Sequence, residues 1–374
     1  MNTKFNVYVI IISVSIYALT YGLSSPLIAL QLKENNITES IIGINAAMHA
    51  LGVFTIAPFL PYIFNKYEPK AILLVSLSSS AILIMLFQHT NFYVWFLLRF
   101  GIGVFTEIIM VLTETWISDT TTEDARGKTI ALYTAGISLG FAIGPLILLF
   151  TGTDTNIAFV IGFLFVIVAM IFVYFSTLSK PFHEKTEKIS MLATYKIAAV
   201  AILATVLNST IEVMGMNFLA LYAVNVGWDV SKAITLISVL MFGAIILQIP
   251  IGWLSDKIDR LKLVFYLSVA SSLGALIWPF SFDVPIITYT LLFIWGGLFV
   301  GIYTVTITWI GSQYSGNKLS SIFATMSVAW GVGALLGPVL GGAAMELTTH
   351  GIPLITALLC LLFSIFTYSK IASK

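Results

Sequence analysis

The sequence predicts an all-α integral membrane protein of about twelve membrane-crossing helices, arranged as two six-helix bundles related by a pseudo-twofold. Three observations carry this reading. First, 59% of the 374 residues are hydrophobic and 9% are charged, with a mean hydropathy of +1.00; a soluble domain carries about 25% charged residues. Second, apolar runs of about twenty residues recur along the chain, each long enough to cross a hydrocarbon core of about 30 Å as a helix. Third, a pattern returns at a fixed distance. Thr113-Glu114-Thr115-Trp116-Ile117 reappears as Thr306-Ile307-Thr308-Trp309-Ile310, and Gly140-x-x-x-Gly144-Pro145 as Gly333-x-x-x-Gly337-Pro338, both 193 residues later. A repeat at about half the chain length is a duplication.

The predicted spans lie near residues 6–31, 40–64, 70–88, 92–118, 128–151, 156–178, 194–225, 232–254, 262–280, 285–312, 319–345 and 351–370. The bundles are residues 1–178 and 194–374, joined by a polar cytoplasmic loop, 179–193. A transmembrane barrel would show alternating segments of about ten residues, a pattern absent from this sequence. The first apolar run is preceded by Lys4 and lacks a small-residue cleavage site, so it is expected to be a retained span.

Basic residues set the expected orientation. With the N-terminus inside, fifteen Lys and Arg fall in inner segments and two, Lys33 and Lys232, in outer ones; Arg99 lies within a span. Positive charge collects on the cytoplasmic side, so both termini are expected to be cytoplasmic, in a cell membrane and specifically a bacterial inner membrane.

The composition also excludes functions. A net charge of +1 leaves no nucleic-acid footprint. The single Cys360 forms no internal disulfide. There is no phosphate-binding Gly-rich loop, no His or Cys cluster with metal-ligand spacing and no nucleophile setting, so an enzyme, a metal and a cofactor are not expected.

Ionisable residues within apolar spans are costly and mark function. Arg99 and Glu107 share the fourth span with Gly103 at i, i+4, i+8 spacing. About 12 Å of rise separates the two charges, which argues against a direct pair and demands partners on neighbouring helices. Glu107 and Glu212 are the proton-coupling candidates, with His49 a third, because a carboxylate facing a partly desolvated cavity can exchange a proton near neutral pH.

Several motifs resemble those of the major facilitator superfamily. Gly252-Trp253-Leu254-Ser255-Asp256-Lys257-Ile258-Asp259-Arg260 is similar to its cytoplasmic loop, with Asp259 where glycine is usual. The first-half counterpart, Pro61 to Lys70, carries Asn65 in place of the acid. Leu97-Leu98-Arg99-Phe100-Gly101-Ile102-Gly103 resembles the fourth-helix motif. The Gly-x-x-x-Gly-Pro segments resemble the fifth-helix motif, with Leu148 and Leu149 where the first copy would carry a glycine pair. Glu114-Thr115-Trp116-Ile117, Arg126-Gly127-Lys128 and Gly296-Gly297 with Tyr303 are most similar to the YcaD-type branch, which implies no settled substrate.

The resemblance implies a monomeric secondary transporter working by alternating access on a small organic solute. Proton coupling is expected, with efflux ahead of uptake or exchange of an anionic metabolite or siderophore-like compound. It implies that the first, fourth, seventh and tenth helices line a cavity, making Arg99, Tyr17, Tyr21, Asn45, Asn208, Asn217, Tyr303 and Trp330 candidate solute contacts. Gating is expected from Asp256, Lys257 and Arg260, from Glu114 paired with Lys66, Lys70 or Arg126, and from helix faces carrying Gly140, Gly144 and Pro145 and Gly333, Gly337 and Pro338, sliding between the halves. The partners implied are a small-molecule substrate, protons and the bilayer.

Overall fold

The computed structural model describes residues 3–153, 156–177, 191–314 and 316–372. The predicted loop 179–193 lies largely outside them. The described residues are helices joined by short turns, with no strand among them. Among the described residues twelve spans are long and apolar enough to cross a membrane, at positions close to those predicted. Phe150 and Phe280, 90% and 82% exposed, suit a surface that faces lipid.

The chain divides into two compact units, residues 1–37 with 44–184 and residues 38–43 with 185–374. The first holds α1 (Thr3–Glu34), most of α2 (Glu39–Ile56), α3 (Leu60–Lys66), α4 (Pro69–Leu86), α5 (Phe92–Thr120), α6 (Glu123–Thr151) and α7 (Ile157–Phe175). The second holds α8 (Met191–Asn225), α9 (Val230–Ile246), α10 (Gln248–Ser255), α11 (Arg260–Ser281), α12 (Pro285–Gln313), α13 (Gly316–Leu347) and α14 (Gly351–Ala372).

Proline chemistry breaks two spans into pairs. A 3-10 turn, Ala57–Phe59, separates α2 from α3 at Pro58. The eighth span breaks at Leu247 near Pro250; a proline removes a donor and clashes with the preceding turn. By contrast α6 and α13 run on through the buried Pro145 and Pro338. Asp259, which replaces the expected glycine, caps α11 by accepting from the Lys262 backbone N–H at 3.0 Å.

The most extensive helix contacts are α1 with α6 in one unit and α8 with α13 in the other. Both depend on glycine. A Cβ at Gly140 would strike the Ser15 carbonyl, and one at Gly144 the Leu19 carbonyl. At Gly333 and Gly337 it would strike the carbonyls of Val206 and Thr210. The same holds where α2 meets α5, with Gly103 on His49 and Gly52 on Phe100, and where α9 meets α12, with Gly296 on Leu240 and Gly243 on Phe293.

These contacts extend the repeat beyond its sequence motifs. The α5 and α6 positions recur in α12 and α13 after 193 residues, while the α1 and α2 positions recur in α8 and α9 after 191. Thr113 and Thr306, both buried, even bond the equivalent carbonyls, Ile109 and Ile302, at 2.7 and 2.6 Å.

This packing revises one expectation. Gly140 and Gly144 of α6 and Gly333 and Gly337 of α13 lie against α1 and α8 and so do not form a sliding surface, whereas Pro338 meets the start of α2: a Cβ at Gly43 would strike the Pro338 carbonyl, and one at Gly342 the Glu39 carbonyl. The physical reason is the depth of the approach: backbone-to-backbone contact locks a helix pair in register. Gly337→Val should therefore lower the melting temperature in detergent, by an overpacking cost of about 1–3 kcal/mol. Gly252→Ala, where an added Cβ meets no atom within 4 Å, should leave it unchanged.

Candidate functional site

The polar residues gather at two places, one in each unit. In the first unit, Arg99 on α5 is 3% exposed, and its Nη2 donates to the Ser25 carbonyl of α1 at 3.3 Å. On the next turn but one, the Thr106 hydroxyl meets Tyr17 Oη at 2.8 Å and His49 Nε2 at 3.4 Å. Tyr17 also reaches Ser80 Oγ on α4 at 3.2 Å. The His49 ring packs on Tyr21, with centroids 4.9 Å apart, and Tyr21 touches Phe141 of α6.

Gly103 makes this cluster possible, because only a residue without Cβ lets α5 reach the His49 carbonyl. Asn45, one turn before His49, is fully buried, and neither of its amide atoms has a hydrogen-bond partner. Buried polar atoms normally find a partner, and Asn45 is an exception.

Glu107 follows Thr106 and is half-buried. It makes no ion pair among the described residues. Arg99 instead serves the α1 backbone, as the two-turn separation requires. Below it Tyr133 of α6 bonds Thr113 and the Met110 carbonyl, each at 3.2 Å, fixing α6 to this part of α5.

In the second unit, Glu212 of α8 accepts from Asn208 Nδ2 at 3.2 Å. The repeat puts Glu212 at the position of Tyr21, Asn208 at that of Tyr17, Leu240 at that of His49 and Leu292 at that of Arg99. The polar network of the first unit is thus replaced by apolar side chains around one carboxylate. Glu212 lines a narrow cavity of about 20 Å3, room for about one water, bounded by Trp278 of α11, Trp295 and Phe299 of α12, and Thr356 of α14. Trp295 lies 4.6 Å from the Trp278 ring and stacks on Phe299 at 4.8 Å. The Trp295 indole N–H is used, donating to the Ser271 carbonyl at 2.8 Å.

Three candidate solute contacts stand apart from Glu212. Asn217 turns back to the Val213 carbonyl of its own helix at 2.8 Å. Tyr303 packs on an apolar cluster of Ala198, Ile310 and Met326. Trp330 is exposed.

The gating candidates also have local partners. Asp256 pairs with Arg260 one turn away, at 3.3 Å, and Lys257 stacks over Trp253 at 3.6 Å. Glu114 is exposed and is not paired with the expected lysines: Lys66 donates to Tyr62 Oη at 3.0 Å and Lys70 to the Ser176 carbonyl at 3.1 Å. The Arg126 side chain lies outside the described residues.

Sequence reasoning missed Thr106, Ser80, Ser25, Trp278 and Thr356. Only the i+7 spacing of Thr106 from Arg99 offered a signal, because Ser and Thr are common in spans and lie on every face.

The family model of the Major Facilitator Superfamily matches residues 10–302 and 201–372. The chain belongs to the Major Facilitator Superfamily. It is therefore a transporter by family, not an enzyme. It is 25% identical over 353 residues to the uncharacterized MFS-type transporter YfkF of Bacillus subtilis, covering 92% of this chain and 90% of that protein. It is 24% identical over 254 residues to the MFS-type transporter YcaD of Escherichia fergusonii, covering 66% and 64%. Among solved structures, the nucleoside transporter NupG superposes with a TM-score of 0.79 at 15% identity, covering 99% of each chain. The D-xylose-proton symporter gives 0.77 at 11% identity, covering 96% and 97%. Identities this low carry the fold alone, and this fold supplies the helices on which both clusters sit.

Replacing Arg99 by Leu should lower the melting temperature, because it removes the charge-assisted hydrogen bond that ties α5 to the Ser25 carbonyl of α1. The loss should be about 1–3 kcal/mol, read as a denaturation shift in detergent. Thr106→Val should act in the same direction by a smaller amount.

Proposed function

We propose that the protein is a proton-coupled secondary transporter of a small organic solute, working by alternating access as a monomer in the bacterial inner membrane with both termini in the cytoplasm. Efflux by antiport is the favoured direction. One observation carries the reading: each unit holds one half-buried carboxylate in an apolar span, Glu107 and Glu212, with no counter-cation among the described residues. A structural acid in lipid is normally paired; an unpaired one facing a water-accessible hollow is suited to loading and releasing a proton. Efflux is supported by the aromatic and thioether walls around Glu212, which suit amphipathic solutes.

A second reading, uptake or exchange of an organic anion, draws on Arg99, a buried guanidinium on α5, and on the unsatisfied Asn45 of α2. The two readings differ in sign. In proteoliposomes with an acid lumen, antiport moves an amphipathic amine inward as protons leave, whereas symport drives an organic acid out.

Glu107→Gln or Glu212→Gln should abolish the dependence of transport on the pH gradient while leaving solute exchange across equal pH. Unchanged gradient dependence in both variants would remove proton coupling from the account.

A further inference from the structure

Between α4 and α7 of the first unit lies a groove of about 570 Å3, on a surface formed by two membrane spans. Its floor is the half-buried Leu74, Ser78 and Met170, and its rim is the exposed Ile171, Tyr174 and Phe175. The Ser78 hydroxyl donates to the Met170 sulfur at 3.2 Å, so the two helices stay in contact beneath the groove. Lys70 stands at one end. Its Nζ lies 5.2 Å from the centroid of the Tyr174 ring and donates to the Ser176 carbonyl, just past the rim, at 3.1 Å. A lysine ammonium has three donors, and this bond uses one. Lys70 makes no ion pair among the described residues.

The second unit differs at both points. In its counterpart helices, α11 and α14, the Phe265 ring packs on the Tyr368 ring with centroids 5.6 Å apart. The basic residue that opens α11, Arg260, is neutralised by Asp256 at 3.3 Å. The residue 191 positions before Asp256 is Asn65, so the first unit lacks the acid that would compete for a basic group at this end. An open groove and an uncompensated ammonium therefore occur together in the first unit.

We propose that this groove binds one phospholipid of net negative headgroup, with an acyl chain along Leu74, Ser78 and Met170 and the phosphate at Lys70. The chain gains no hydrophobic energy on entering, because bilayer tails are as apolar as the walls. The groove adds dispersion contact on several sides. Selectivity comes from the headgroup: a basic group in a pocket between spans attracts anionic lipid. The Tyr174 ring holds the ammonium at headgroup level, where Lys and aromatic side chains gather. A choline headgroup would bring its own cation toward Lys70 and lose that advantage. The site requires only that the chain spans a bilayer and is independent of what it carries across.

The full chain, stripped of lipid in maltoside, is titrated with dioleoylphosphatidylglycerol and with dioleoylphosphatidylcholine, which carry the same acyl chains. The one-lipid complex is counted by native mass spectrometry. Phosphatidylglycerol should bind about fivefold more tightly, the factor one lysine near a membrane surface supplies. Lys70→Gln should bring the two lipids to equal affinity. Lys257→Gln, which removes a lysine stacked on Trp253 in the second unit, should leave the preference intact. Ser78→Phe puts a ring on the groove floor and should weaken both lipids alike. The Lys70 and Ser78 variants probe headgroup and chain separately, so either one decides if the other fails to fold. Equal binding of the two lipids by the parent, a preference that survives Lys70→Gln or is lost as fully in Lys257→Gln, or unchanged binding in Ser78→Phe would overturn the proposal.

Discussion

Close backbone contact between helices is the interaction on which this molecule depends. In lipid there is no hydrophobic force to draw helices together, so dispersion contact and shared polar bonds must do it. Glycine at Gly140, Gly144, Gly333 and Gly337 lets α6 and α13 lie against the carbonyls of α1 and α8. Gly103 and Gly296 do the same for α5 and α12. Each unit is thereby fixed internally, and the polar side chains on its inner helices are held where no flexible surface could hold them. Arg99 reaches Ser25, and Thr106 reaches both Tyr17 and His49, because α5 sits so near α1 and α2.

The same packing explains how a duplicated frame carries two different chemistries. Four glycine contacts recur between halves, at Gly52 and Gly243, Gly103 and Gly296, Gly140 and Gly333, and Gly144 and Gly337, where a Cβ would strike a backbone. The side chains beside them are under no such constraint. His49 and Arg99 give way to Leu240 and Leu292, and Tyr21 to Glu212. One unit keeps a hydrogen-bonded network; the other keeps a single acid among indole, phenyl and thioether groups.

The architecture was legible in the sequence because its cause is legible there. Twenty-residue apolar runs follow directly from life in a bilayer, and the 193-residue repeat marks glycines that recur in the helix contacts. The 191-residue repeat of α1 and α2 in α8 and α9 was not visible, since what those helices share is a contact with glycine and not a motif. The site was half legible. Arg99, Glu107 and Glu212 stood out as charges in apolar runs, and Asn208 lies on Glu212 as its i−4 spacing suggests. Asn217 and Tyr303 bear the right chemistry on the right helices, yet they face their own backbone and an apolar cluster. Helical phase within about 100° cannot be fixed when nearly every face is apolar. Likewise the paired charges of the loop after the eighth span satisfy one another locally, an outcome that composition does not distinguish from a longer reach.

Two internally rigid units that change their relation when an acid within them is protonated would show it in distances between spin labels. One pair would join Lys128→Cys of the first unit to Lys318→Cys of the second, and a control pair Lys66→Cys to Lys128→Cys within the first; all three positions are exposed, and the native Cys360 is buried. The first distribution should shift between acidic and alkaline buffer while the second stays fixed. An invariant first pair, or a control pair that moves as much, would contradict a protonation-driven change between rigid halves.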